Sequence, residues 1–176
     1  LPKLFVATAL VIGSPAAANN VAAAGLGVVP TPQKVETQNG TFAIDGNTQS
    51  MLGENATDDE KFAAEDLRGA LKEIYGFAIQ FGTPGEYRDN SIVIGKPETN
   101  PLVGELMKRK GLSFSEKTNE QGYVLGIGEK GIVIAAESEP GVLYGTMTLR
   151  QIAQVQGPDK PLPRVQITDW PHMKMR

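Results

Sequence analysis

The chain has 176 residues, of which 40% are apolar and 21% charged, a composition that supports one packed core and excludes wholesale disorder. Lys and Arg number 17 against 20 Asp and Glu, a formal charge of -3, which leaves no basic footprint for wrapping nucleic acid. Cysteine is absent and His172 is the only histidine; disulfides, thiol nucleophiles and Cys-based or two-His zinc motifs are excluded, and chemistry falls to carboxylates, hydroxyls, Lys and Arg.

Lys3 precedes the apolar run from Leu4 to Gly13, which gives way to Ser14-Pro15 and Ala16-Ala17-Ala18. A charge, an apolar stretch and A-x-A in that order describe a secretory signal, and the run is about half of the ~20 residues of a spanning helix. Residues 1–18 are expected to be cleaved on export to a secreted or periplasmic location, leaving no membrane attachment. A cysteine-free chain is compatible with the periplasm. Residues 19–27 are small and weakly patterned, a flexible segment. Val28-Val29-Pro30-Thr31-Pro32 then opens the folded part in an extended conformation imposed by two prolines.

Residues 34–37 and 41–44 flank Asn39-Gly40, a dipeptide suited to a tight hairpin turn, and are expected to form two short antiparallel strands. Thr57-Asp58-Asp59-Glu60 reads as a capping box. Phe62, Leu67, Ala70, Leu71 and Ile74 then recur at helical spacing and Gly76 offers a left-handed stop. Residues 77–81 and 91–95 are strand-like, the second apolar enough for the centre of a sheet. Asn100, Pro101 and Gly111 bound a second helix that ends on Lys108-Arg109-Lys110. Residues 122–127 and 132–136 surround Glu129-Lys130-Gly131 as another hairpin. A third helix runs from Pro140 through Val142, Gly145, Leu149 and Ile152, its glycine placed for close backbone approach. After Pro158, Pro161 and Pro163 a last strand covers 164–168. The order predicts an α+β domain over residues 28–168, a largely antiparallel sheet with helices packed on one face.

Gly126, Gly128 and Gly131 spell G-x-G-x-x-G, but a strand follows where a dinucleotide site needs a helix, so they read as hairpin glycines and no cofactor is expected. Lys108, Arg109 and Lys110 suit the negative pole of a helix on a solvated face; Asp58, Asp59 and Glu60 suit the positive pole of the helix before it. No acidic group has calcium-loop spacing, and no metal is expected. Asn39 and Asn55 open glycan sequons, which matter only in a eukaryotic secretory route. Tyr75, Tyr87, Tyr123, Tyr144 and Trp170 would stack on sugar rings if exposed together, which makes a free-standing carbohydrate-binding module an alternative; aromatics in strands and amphipathic helices are more often core. His172 beside Asp169 lacks a serine nucleophile placed by any motif. No catalytic residue is assigned within the chain.

Val29-Pro30-Thr31-Pro32-Gln33, Gly122-Tyr123-Val124-Leu125, the run from Gly141 to Gln151 and Ile167-Thr168-Asp169-Trp170-Pro171 together resemble the N-terminal accessory domain of glycoside hydrolase family 20, the family of the β-N-acetylhexosaminidases. Related domains precede the barrels of family 84 enzymes and α-glucuronidases. The resemblance implies that residues 169–176 begin the connection to a catalytic (β/α)8 barrel in the same chain, the domain's partner, which carries the chemistry at its strand ends. It implies a glycan substrate and substrate-assisted retaining hydrolysis, in which the sugar's own 2-acetamido carbonyl attacks the anomeric carbon while an Asp orients it and a Glu protonates the leaving oxygen. Neither acid has a counterpart here. Arg176 matches an arginine of the family's first barrel strand, which implies a substrate-binding role on the hydroxyls of the terminal N-acetylhexosamine in the intact enzyme.

Overall fold

The structure, a computed structural model, describes residues 25–118 and 120–171. Expectations for the signal segment 1–18, for His172 and for Arg176 fall outside the described residues. In chain order the strands are β1 (Lys34–Phe42), β2 (Gln49–Met51), β3 (Gln80–Phe81), β4 (Ser91–Gly95), β5 (Tyr123–Gly128), β6 (Gly131–Ala136) and β7 (Leu162–Asp169); the helices are α1 (Asp58–Tyr75), α2 (Pro101–Lys110) and α3 (Glu139–Gln156).

The strands form one seven-stranded sheet in the order β1-β7-β5-β6-β4-β2-β3. From β1 to β6 the pairings are antiparallel; β4, β2 and β3 add on in parallel, the last two contributing only 3 and 2 residues. Antiparallel ladders therefore make up most of the sheet, and the domain is α+β as its sequence predicts. Residues of β4 and β6 are buried without alternation because both faces are covered. Ile92, Ile94, Ile132 and Ile134 pack under α1 and α3, whereas Val93, Val133 and Ala135 pack under Val103, Leu106 and Met107 of α2. The short helix α2 thus sits on the face opposite the other two, a detail that its amphipathic pattern alone does not specify.

Two local expectations yield to tertiary structure. Asn39-Gly40 does not turn a hairpin: β1 runs straight through it, paired with β7, and the dipeptide becomes a bulge where the register shifts between Thr37↔Val165 and Thr41↔Pro163. A long partner strand offers more ladder hydrogen bonds than a two-residue turn, and Gly40 at φ 106° absorbs the irregularity. Phe62 is 64% exposed, while the buried stripe of α1 is Ala63, Ala64, Leu67, Ala70 and Leu71; position 62 lies one residue, about 100°, off that stripe.

Helix ends follow their local signals. Thr57 and Glu60 form both bonds of the capping box, and Gly76 closes α1 in the left-handed region at φ 79°. Asn100 makes no side-chain cap; its Nδ2 instead donates to the Ile94 carbonyl at 3.0 Å. Glu60 is fully buried. Beyond accepting from the Thr57 N–H at 2.8 Å, it accepts from the Lys96 N–H at 2.9 Å and from the Thr99 hydroxyl at 2.6 Å, tying the start of α1 to the turn that follows β4.

Lys96 in turn reaches Glu139, the first residue of α3, with Nζ 2.5 Å from Oε1. Their hydrogen bond holds the Glu139 carboxyl below its usual 4.5 and the Lys96 ammonium above its usual 10.5. A depressed carboxyl contributes stability above its unfolded value and loses it as pH falls through the folded one. Glu139→Gln is therefore expected to flatten the loss of stability below about pH 4.5, read as the urea midpoint against pH, and to leave the curve's shape near neutrality unchanged.

Candidate functional site

Tyr123 starts β5 directly opposite Asp169, the last residue of β7. Across them lies the face of α3 that carries Tyr144, Thr148 and Gln151, spaced four and three residues apart so that one stripe presents all of them. The Tyr123 hydroxyl is 2.6 Å from the Thr148 hydroxyl and donates to Asp169 Oδ2 at 3.3 Å. Asp169 Oδ1 accepts from the Gln33 N–H at 3.0 Å. Gln151 grips the other entering residue, its Oε1 accepting from the Val29 N–H at 2.8 Å and its Nε2 donating to the Val29 carbonyl at 3.2 Å. Burial above all, then the Asp169 carboxylate, pushes the Tyr123 phenol far above its ordinary value of 10.0, so it acts as a fixed neutral donor.

The segment that enters the domain and the segment that leaves it are thus clasped by α3 at one place. Trp170 follows Asp169, and the Lys117 ammonium stands 5.4 Å from its ring centre, within cation–π range. Beside the clasp lies a cavity of about 330 Å³ lined by Val29, Tyr123, Tyr144, Met147, Thr148 and Trp170, among others. Its rim is apolar and open: Val29 is 76% exposed and Met147 43%. Such a rim is the expected surface of a domain contact.

The remaining candidates disperse. Tyr75 stacks on Phe77 at 5.9 Å against the core, and Tyr87 packs beside the α2 cluster, so neither joins Tyr144 and Trp170. Gly126, Gly128 and Gly131 lie in the β5–β6 hairpin, whose turn is Glu129-Lys130. Arg109 pairs with Glu105 on α2, but Lys110 is half-buried against the hairpin, a departure from the solvated face expected for all three cations. Asn39 and Asn55 are exposed. Among the described residues no group of three His, Cys, Asp or Glu is arranged to hold a metal. Within the clasp the Asp169 carboxylate accepts from the Gln33 N–H and the Tyr123 hydroxyl, so it ties the end of β7 to the start of β5 and to the entering segment.

Thr148, Gln151 and Gln33 stand out only once the fold is known. Thr148 and Gln151 lie at helical spacing on α3 and Gln33 lies in the entering segment; all of them fall in segments that carry the family resemblance, but no local pattern marks them as hydrogen-bond partners.

The fold is one shared by glycoside hydrolases. CpGH84D superposes with a TM-score of 0.65 at 17% identity, over 81% of this chain and 23% of that one. The Flavobacterium johnsoniae chitobiase superposes at 0.61 with 21% identity, over 85% and 21%. A β-hexosaminidase of Porphyromonas gingivalis is 25% identical over 154 residues, 84% of this chain and 17% of the relative. The sequence model for glycosyl hydrolase family 20, domain 2, matches residues 25–170, and the chain belongs to that family. Fold alone does not separate family 20 from the family 84 alternative, since CpGH84D has it too; the sequence match does. The chain spans less than a quarter of the length of each of these proteins.

Proposed function

We propose that this domain is the supporting lobe of an exported β-N-acetylhexosaminidase, docked through its clasp and apolar rim on a (β/α)8 barrel that follows in the same chain. The observation that carries the reading is the convergence of the motif segments at the point where β7 releases the chain. Residues 28–168 form the lobe, 169–176 lead into the barrel, and 1–18 direct export to a secreted or periplasmic location. The barrel removes a terminal N-acetylhexosamine by substrate-assisted retaining hydrolysis, its Asp and Glu lying past this chain. Arg176, at the threshold of the barrel, offers its planar fork of donors to two neighbouring hydroxyls of that sugar.

The docking claim is tested in the enzyme that continues into its barrel. Met147→Glu places a charge on the apolar rim, where docking desolvates it in part, a change expected to cost about 1–3 kcal/mol. The substitution is expected to shorten the half-life of activity on a chromogenic N-acetylglucosaminide at elevated temperature several-fold while kcat/KM at 25 °C stays within about twofold. An unchanged half-life contradicts docking at this rim.

A carbohydrate-binding module is the second reading, favoured by the shared cavity of Tyr144 and Trp170. It requires saturable quenching of Trp170 fluorescence by chitin oligomers; the supporting lobe requires none.

A further inference from the structure

On the side of the sheet away from the clasp, the last turn of α2, the β5–β6 hairpin and the middle of β7 enclose a cavity of about 380 Å³, within the size range of small-ligand sites. It shares no lining residue with the cavity beside the clasp. Arg109, Lys110, Lys130 and Arg164 all line it.

The cations are unequally compensated. Arg109 is answered by Glu105, and Lys130 by Asp89 at 3.2 Å. Arg164 meets Glu129 only at 3.8 Å, through a carboxylate that is 78% exposed. Lys110 has no carboxylate within ion-pair distance among the described residues; its Nζ contacts the Gly131 carbonyl at 3.4 Å. Burial first, then the charge of Arg164, holds the Lys110 ammonium below the usual lysine range. Arg164 is held in place by bonds to the Asn39 carbonyl at 3.1 Å and Gln38 Oε1 at 3.4 Å, and its buried Nε has no partner.

Two further features keep the ammonium where it is. A Cβ on Gly128 would lie 2.3 Å from Lys110 Nζ, so the absence of a side chain there is what lets the ammonium rest over the hairpin. Gln166 Nε2 donates to the Lys110 carbonyl at 3.0 Å, fixing the last residue of α2 and satisfying one of the terminal carbonyls whose negative pole would otherwise oppose an anion. Two like charges brought together with partial desolvation and little compensation are the inverse image of an anion.

We propose that this cavity binds a tetrahedral oxoanion, sulfate or phosphate, free or as the ester of a sugar, between the Lys110 ammonium and the Arg164 guanidinium. Such groups are bound by charge-assisted hydrogen bonds from a point-like ammonium and a planar fork together. The inference does not depend on what the parent enzyme hydrolyses.

The test is calorimetric titration of the 176-residue chain at constant ionic strength, with inorganic sulfate, inorganic phosphate, glucose 6-sulfate, glucose 6-phosphate and, as control, glucose. Saturable heat is expected from the anions and none from glucose; tighter binding of the esters assigns a sugar ester, and equal binding assigns the bare ion. Lys110→Met, which removes a desolvated charge and retains the stem, is expected to weaken binding about tenfold or more, and Lys110→Arg to keep most of it. Gly128→Ala, which displaces only the ammonium, gives an independent reading and is expected to weaken binding as well. Absence of saturable heat with every anion, or unchanged affinity in the folded Lys110→Met and Gly128→Ala chains, overturns the proposal.

Discussion

Glu60→Ala is expected to be among the most destabilising single substitutions in the domain, costing about 3–5 kcal/mol and lowering the melting temperature by roughly 10 °C. The side chain is fully buried and serves the Thr57 N–H, the Lys96 N–H and the Thr99 hydroxyl at once. Removing it leaves the buried Lys96 N–H and the part-buried Thr57 N–H without this acceptor, and the Thr99 hydroxyl with only the Lys96 carbonyl at 3.2 Å, which is the costly side of hydrogen-bond energetics. Glu60→Gln keeps one carbonyl oxygen and should lose about half as much, because its amide cannot accept from Thr57. Glu65→Ala on the exposed face of the same helix supplies the comparison, with an expected change within about 0.5 kcal/mol. Chemical denaturation of the variants checks the order; an alanine at position 60 as mild as one at 65 would show that Glu60 is not the joint between α1 and the β4–α2 turn.

Gly141→Ala carries the second large effect, expected at about 3 kcal/mol. A Cβ at that position would lie 2.3 Å from the Gly122 carbonyl oxygen and 2.8 Å from the Ala136 Cβ. The first obstacle is backbone and cannot rotate away, so the first turn of α3 must lift from the sheet or push Gly122, and with it the adjoining Tyr123, out of place. The contrast is Gly69→Ala in the middle of α1, where a Cβ meets nothing within 4 Å; there the gain in helix propensity should stabilise by about 0.5–1 kcal/mol. Opposite signs for the same exchange in two helices, measured by thermal unfolding, separate close approach from propensity.

Much of this fold is legible because its signals are local. The capping box at Thr57, the left-handed Gly76, Pro101 at the start of α2 and Gly111 at its end each act within a single helical turn, and the structure has all of them. The β5–β6 hairpin is legible for the same reason, its strands being joined by Glu129-Lys130 alone. Asn39-Gly40 misleads because its turn competes with β7, a partner more than 100 residues later, whose pairing no local pattern reveals. The parallel edge is only partly legible for another reason: residues 77–81 read as a strand of which Gln80–Phe81 forms, whereas β2, three residues long, is too short to show a period.

The clasp is the clearest case of information that lies in the topology. Gln151 and Val29 are 122 positions apart, and Gln33 and Asp169 are 136 apart, so only the completed sheet brings them together. Family resemblance marks the segments, yet it does not say that they touch. Lys110 shows the same limit from the opposite side. Its place in the last turn of α2 suits the helix dipole, but its burial against Gly128 follows from the packing of α2 over the hairpin, and only then does its charge become conspicuous.

The proposed supporting role is tested by the rate at which the isolated 176-residue chain hydrolyses a chromogenic N-acetylglucosaminide. Release of the chromophore at the rate of buffer alone is the result predicted; turnover above that rate, in a preparation free of other glycosidases, contradicts it.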